Sequence, residues 1–224
     1  MDIMPVDYDK YIKVSDEGTR KNLADFNSIT PNLIGKKILD VGCGTGILLE
    51  KFIKNNACIG IDSNNASLVI VAKKGIITKL VDLEKKLPFK DNEFDLVICK
   101  DVLEFIFSAE LLLNELARIT KKGGTLLLHV PNEFNFFDLT SLLFGKGILK
   151  TRWYEKSTEL NNPHLRFFTS KKLAQYVAEK GFVVTDYSWK WAFRLPLIHL
   201  KLGLLSSVFP RFFSPGITLL CTKK

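Results

Sequence analysis

Ile38-Leu39-Asp40-Val41-Gly42-Cys43-Gly44-Thr45-Gly46 is the stretch on which the fold turns. It opens as an apolar run, which suits a strand buried on both faces. It then breaks into three glycines at alternate positions. Directly after them Ile47, Leu48, Leu49, Phe52 and Ile53 recur at helical spacing, so the pattern predicts strand, Gly-rich turn and helix. Glycine tolerates the positive φ of such a turn and lets a ligand approach the backbone. A helix beginning there presents unpaired N–H groups to whatever sits in the turn. A ligand site is therefore expected at the C-terminal end of this strand.

A dinucleotide fingerprint reads G-x-G-x-x-G. Here the spacing is Gly42-x-Gly44-x-Gly46, followed by Ile47, and Asp40 stands two residues before the first glycine. The pattern Asp-x-Gly-x-Gly-x-Gly resembles motif I of the class I S-adenosylmethionine-dependent methyltransferases. That resemblance implies that the turn, with Asp40, Gly42, Gly44 and Gly46, faces the methionine and ribose of the cofactor. A second apolar strand, Ala57-Cys58-Ile59-Gly60-Ile61-Asp62, ends in an acid. A carboxylate at that tip can accept from both hydroxyls of a ribose. Dinucleotide and methyltransferase readings both require this, so Asp62 points to a ribose without choosing the cofactor.

The next diagnostic stretch is Val81-Asp82-Leu83-Glu84, leading to Leu87-Pro88-Phe89-Lys90-Asp91-Asn92-Glu93-Phe94-Asp95-Leu96-Val97-Ile98-Cys99. Its order is similar to the same methyltransferase family in residues and in distance from the glycines. By that resemblance Asp82 would accept from the adenine amine and Leu83 would lend its backbone N–H to the ring. The fourth strand, ending around Cys99, would meet the methionyl group. After it comes Lys100-Asp101-Val102-Leu103-Glu104-Phe105. The family often places a histidine after this glutamate; here it is Phe105. Asp101 and Glu104 lie near the expected methyl position, where either could orient an acceptor; for Glu104 the preferred reading is the start of the next helix, where an acid suits the dipole. His164, in His164-Leu165-Arg166-Phe167-Phe168-Thr169, is the histidine best placed for acid–base work, since imidazole titrates in the physiological range. Its plainer reading is a hydrogen-bonded loop anchor. Asp101 and His164 are thus the catalytic candidates.

The alternation of strands and helices predicts an α/β fold, a doubly wound, Rossmann-like sheet spanning 1–224 as a single domain. The family adds a seven-stranded, mostly parallel sheet whose last strand, Gly216 to Thr222, runs antiparallel. Residues 5–30 read as a helical preface ended by Pro31; in the family such a preface lies across the cofactor, which makes Tyr8 and Tyr11 lid candidates. The third strand is expected over Ile76 to Leu83, and a helix over Ser108 to Thr120 ended by Gly123-Gly124. Strand five follows over Thr125 to Val130, and strand six over Phe182 to Tyr187.

Two insertions depart from a minimal fold. Residues 133–168 are long for a connection and carry Phe134, Phe136, Phe137, Phe144, Trp153 and Tyr154 beside Lys146, Lys150 and Arg152. They should cover the acceptor pocket, with Phe136, Leu139 and Leu143 as the inner stripe of a packed helix. Residues 188–215 mix aromatic, aliphatic and basic side chains. They suit pocket closure or a homodimer contact first and a peripheral membrane interface second.

Of 224 residues, 46% are hydrophobic and 25% charged, ordinary for a globular chain. Net charge is +8, and it is uneven: residues 1–112 carry 15 basic and 17 acidic residues, residues 113–224 carry 17 and 7. A basic half can meet nucleic acid, an anionic membrane or an acidic substrate. Cys43, Cys58, Cys99 and Cys221 lie far apart without C-x-x-C pairing, which reads as buried hydrophobes in a reducing compartment. The first residues lack the pattern of a signal peptide, so the expected location is cytoplasmic, with room for contact at a membrane surface. No histidine–carboxylate cluster has ligand spacing, so a metal is not implied.

By the resemblance, the cofactor is S-adenosyl-L-methionine, and the apolar insertions point to a small, apolar or lipid-like acceptor. RNA methylation and a non-catalytic binding module are the alternatives. A base-flipping Asn/Asp-Pro-Pro-Tyr/Phe tetrapeptide is absent after strand four, which counts against base-nitrogen methylation.

Overall fold

The computed structural model describes residues 17, 19–20, 23–145, 164–188 and 210–224. Among them, seven strands form one sheet: β1 Lys37–Val41, β2 Ala57–Asp62, β3 Ile77–Leu80, β4 Phe94–Lys100, β5 Thr120–Pro131, β6 Phe182–Ser188 and β7 Gly216–Lys223. Their order is β3-β2-β1-β4-β5-β7-β6. β1 pairs parallel with β2 and β4, β2 with β3, and β4 with β5. β7 is antiparallel to both β5 and β6. The α/β class, the sheet and the antiparallel last strand are as expected. The sheet reverses direction of growth at β1 and β4, and in open α/β sheets ligands bind outside the strand ends at that point.

Alternation of side chains along each strand divides the core in two. Leu39, Val41, Val97, Cys99, Leu126 and Leu128 pack on one face. Ile38, Leu96, Ile98 and Leu127 pack on the other. The first face is covered by α3 (Ala109–Ile119), through Leu112, Leu113 and Leu116, and by α5 (Ser170–Glu179), through Leu173 and Val177. The second is covered by α1 (Leu23–Ile29), through Phe26, and by α2 (Asn65–Ala72), through Leu68 and Val71. Asn64 caps α2 by accepting from Ser67 N, and Thr169 caps α5 by accepting from Lys172 N, the roles that short polar side chains play at helix starts. All four cysteines are buried and unbridged.

Several expectations need correction. The segment after the glycines is a 3₁₀ turn, Ile47–Lys51, rather than an α-helix. Asn56 explains its shortness: its side-chain amide donates to the carbonyls of Phe52 and Leu33, and its oxygen accepts from Lys36 N. A side chain competing for backbone groups in this way stops helix propagation. β3 runs from Ile77 to Leu80, and Val81 N makes the last bond to β2, at Asp62 O. Gly123-Gly124 do not end α3 but form an irregularity inside β5, whose pairing jumps from Phe94↔Thr120 to Leu96↔Thr125. The helix over Phe136–Leu143, α4, is present, but Phe136 and Leu143 are 43% and 83% exposed, so this stripe is not packed on the core. The helix extends past the end of β5, where Phe136 meets Phe213 of α6 (Pro210–Phe213). Tyr8, Tyr11, Trp153, Tyr154, Lys146, Lys150, Arg152 and most of 188–215 lie outside the described residues. Among those described, no helix is long and apolar enough to cross a membrane.

Candidate active site

The glycine turn is built by backbone bonds that a parallel sheet leaves available at a strand end. Gly42 N and Cys43 N both donate to Ile61 O, at 2.8 and 3.0 Å, and Gly46 N closes back on Cys43 O at 2.8 Å. Gly42, Gly44 and Gly46 take φ of +69°, +50° and +75°. A Cβ at Gly42 would stand 2.3 Å from Val102 Cγ2, whereas one at Gly44 would meet nothing within 4 Å. Gly42 is thus pressed against the chain leaving β4, and Gly44 has an open flank. Asp62 reaches this flank: its Oδ2 accepts from Gly44 N and its Oδ1 from Asn64 N, both at 2.9 Å.

Asp40 stands on the same face. It is buried, and among the described residues nothing hydrogen-bonds its Oδ2. Burial pushes its carboxyl up to about 8, with Asp62 adding to the rise and Lys100 opposing it. An orphaned buried acceptor costs free energy until a donor arrives. A ligand with an ammonium group would relieve it. The open flank at Gly44, the acid at Asp62 and the orphaned oxygen of Asp40 therefore fit a nucleoside carrying an amino-acid tail.

Asp82 and Leu83 lie after β3. Asp82 is half-exposed; Glu84 N and Lys85 bond its carboxylate and hold it below its ordinary range. Leu83 is buried. Arg118 fixes the following loop by donating to Phe89 O, Leu87 O, Asp91 and Glu115, while Glu115 accepts from Leu87 N. Cys99 is fully buried in β4, in register with Val41 and Leu128, so its side chain belongs to the core, and burial pushes its thiol up.

A second group of polar residues gathers where β4 and β5 end. Asp101 has φ of +54°. Lys100 pairs with its Oδ2, and His129 Nε2 lies 3.3 Å from its Oδ1. Burial would push the Asp101 carboxyl up, but Lys100, His129 and His164 outweigh it and hold it below its ordinary range. Buried His129 is pushed down to about 4, and its Nδ1 lies 2.8 Å from Thr218 Oγ1. It is neutral at physiological pH, so the geometry makes it an anchor for Asp101.

His164 Nδ1 lies 2.8 Å from Glu133 Oε1, and both side chains are buried. A carboxylate only accepts, so it selects the tautomer with the proton on Nδ1 and leaves Nε2 as the basic atom. The ring packs edge-on against Phe105, at 5.1 Å between centroids. Glu133 was not legible as a partner: it is 31 positions from His164, and no spacing rule joins them. The expected role of Glu104 as the start of α3 also fails. Glu84 takes that position, accepting from Phe107 N at 2.7 Å and Ser108 N at 2.9 Å. Among the described residues no histidine, cysteine and acidic side chains are grouped to hold a metal.

Comparison with known proteins follows from this geometry. A family model described as a methyltransferase domain matches residues 16–187. An uncharacterised protein of Methanocaldococcus jannaschii is 25% identical over 179 residues, covering 78% of this chain and 80% of that protein. A ubiquinone biosynthesis O-methyltransferase of Pseudomonas aeruginosa is 30% identical over 184 residues, covering 76% and 77%. Among solved structures, a chain from the complex of the Haloferax volcanii Trm112 methyltransferase activator with its methyltransferase-fold partner superposes with a TM-score of 0.70 at 15% identity, covering 98% and 99%. An S-adenosylmethionine-dependent methyltransferase from Mesorhizobium loti gives 0.63 at 15% identity, covering 90% and 97%.

Proposed function

This chain belongs to the methyltransferase-domain family, as an S-adenosylmethionine-dependent methyltransferase, and from that premise we propose that it methylates a hydroxyl oxygen on a small, apolar acceptor. The observation that carries the reading is the buried His164–Glu133 pair, joined by the 102–105 segment to the glycine turn. Val102 packs on Gly42, and Leu165 N donates to Glu104 O at 2.8 Å. Relatives named as O-methyltransferases support an oxygen acceptor. Phe134, Leu165 and Phe167, next to the pair along the chain, are exposed and apolar, which supports an apolar one.

When bound, the cofactor supplies a methyl group already activated on a positively charged sulfur. The chain's own work is placement and proton handling. Asp62 and the flank at Gly44 hold the ribose, Asp40 the amino group, and Asp82 with Leu83 N the adenine. His164 Nε2 would take the proton of the acceptor hydroxyl, and Glu133 would stabilise the imidazolium that results. Asp101, held by Lys100 and His129, positions the chain at the end of β4.

The test is transfer of an isotopically labelled methyl group from S-adenosylmethionine to alkyl-substituted phenols, with total RNA as a parallel substrate. Label on the phenol oxygen, lost in His164→Ala, is expected. Label on RNA with none on any phenol would overturn the acceptor assignment.

A further inference from the structure

Glu104 is a buried acid that the fold itself does not use. It is 1% exposed, and among the described residues no other residue hydrogen-bonds either carboxylate oxygen. Glu84 already serves the start of α3. The 3₁₀ turn that carries it, Leu103–Phe105, is fixed on both sides. Val102 fills the space against Gly42. On the other side Glu104 O accepts from Leu165 N, and Phe105 packs on His164. Glu104 thus lies on the segment that joins the glycine turn to the proposed base.

Its electrostatic surroundings are specific. Burial pushes its carboxyl well above the ordinary range; Asp101 and Glu133 add to the rise, and its own backbone N–H and Lys100 oppose it. Cys99 also senses it. Asp101 is engaged by Lys100 and His129, and Glu133 by His164. These are the charged and titratable groups that reach it from β4, β5 and the segment before α5.

We propose that Glu104 is the residue by which this site tells its charged cofactor from the neutral product, by keeping a proton in the free protein and releasing it when a cationic sulfur is bound. The inference rests on the family reading above. The carboxyl O–H bond breaks, its electron pair stays on the carboxylate, and the proton passes to buffer. A buried carboxylate is costly alone and far less so beside a positive charge. S-adenosylhomocysteine carries the same amino and carboxylate groups but no sulfonium. Any proton that Asp40 releases to the amino group is therefore common to both ligands, and the difference between them isolates Glu104.

Titration calorimetry of the whole chain, in phosphate and in Tris near pH ~7.5, counts released protons from the dependence of heat on buffer ionisation. The expected result is about one more proton with S-adenosylmethionine than with S-adenosylhomocysteine, and an affinity ratio that moves by up to about tenfold per pH unit in favour of the charged ligand as pH rises. Glu104→Gln should bind both ligands with no such difference. Equal proton release for the two ligands in the wild-type chain would overturn the proposal, and so would an unchanged difference in Glu104→Gln. If that variant does not fold, the wild-type comparison decides by itself. Binding of neither ligand would instead sink the cofactor assignment beneath it.

Discussion

The N–H of Gly44 donates to Asp62 Oδ2 across 2.9 Å, so the acid at the tip of β2 also holds the middle of the glycine turn. One carboxylate thus shapes the turn that is proposed to receive the cofactor. Replacing Asp62 with Ala removes bonds to a charged group, each worth about 1.5–3 kcal/mol. S-adenosylmethionine affinity should fall by about tenfold or more. Calorimetry reads this directly, and an unchanged dissociation constant would show that Asp62 braces the turn without touching the ligand.

Gly42 and Gly44 should separate stability from binding. Gly42→Ala combines a left-handed φ with a Cβ 2.3 Å from Val102 Cγ2, and a loss of about 1–3 kcal/mol in unfolding free energy is expected. Gly44→Ala meets no neighbour. It should cost less in stability, about 1 kcal/mol for the backbone, while its methyl group intrudes on the ligand flank and weakens cofactor binding. Thermal unfolding with and without S-adenosylmethionine distinguishes the two. Equal behaviour in both assays would contradict the open flank.

The His164–Glu133 pair should act on turnover more than on binding. His164→Ala is expected to lower kcat by about 10²–10⁴-fold, the range for loss of a general base. Glu133→Gln keeps the shape but can present an amide N–H to Nδ1, and should lower kcat by a smaller factor with KM little changed. A rise in KM at constant kcat in both variants would make the pair a structural anchor.

Stability of the free chain should fall as pH rises above about 6.5. Asp40 keeps a proton up to about 8 in the folded state, against 3.8 ordinarily, and Glu104 is shifted the same way. The folded chain therefore binds more protons than the unfolded chain across that window. His129, pushed from 6.5 to about 4, works in the opposite sense but only below 6.5. Each raised acid contributes up to about 1.4 kcal/mol per pH unit. Calorimetric unfolding at pH ~6.5 and ~8 should show the loss, and Asp40→Asn should reduce it. An identical slope in that variant would mean that Asp40 is ionised in the folded chain.

The glycine turn and the acid beside it were largely legible before any coordinates, because their parts are local. Gly42, Gly44 and Gly46 adopt positive φ within a few residues of one another, and Asp62 ends a strand whose apolar run ends with it. The 3₁₀ turn after the glycines was misjudged as a helix. Hydrophobic spacing records which residues are buried, not that Asn56, from beyond the segment, would take the carbonyl of Phe52. Glu104 was assigned to a helix start by proximity in sequence, and a more distant acid, Glu84, took that place.

The strands themselves, the alternation of core faces and the acids at strand tips follow from short-range pattern, since strand periodicity and turn chemistry act over a few residues. Packing alone decided which acids meet which bases. Glu133 reaches His164 across 31 positions, and His129 reaches Thr218 across 89. The second arises because β5 pairs with β7 in the sheet, a neighbour relation that no local pattern encodes. The same packing buried Glu104 with neither oxygen satisfied by the described residues, and burial, which sets the protonation of an acid, is a property of the folded assembly rather than of the chain.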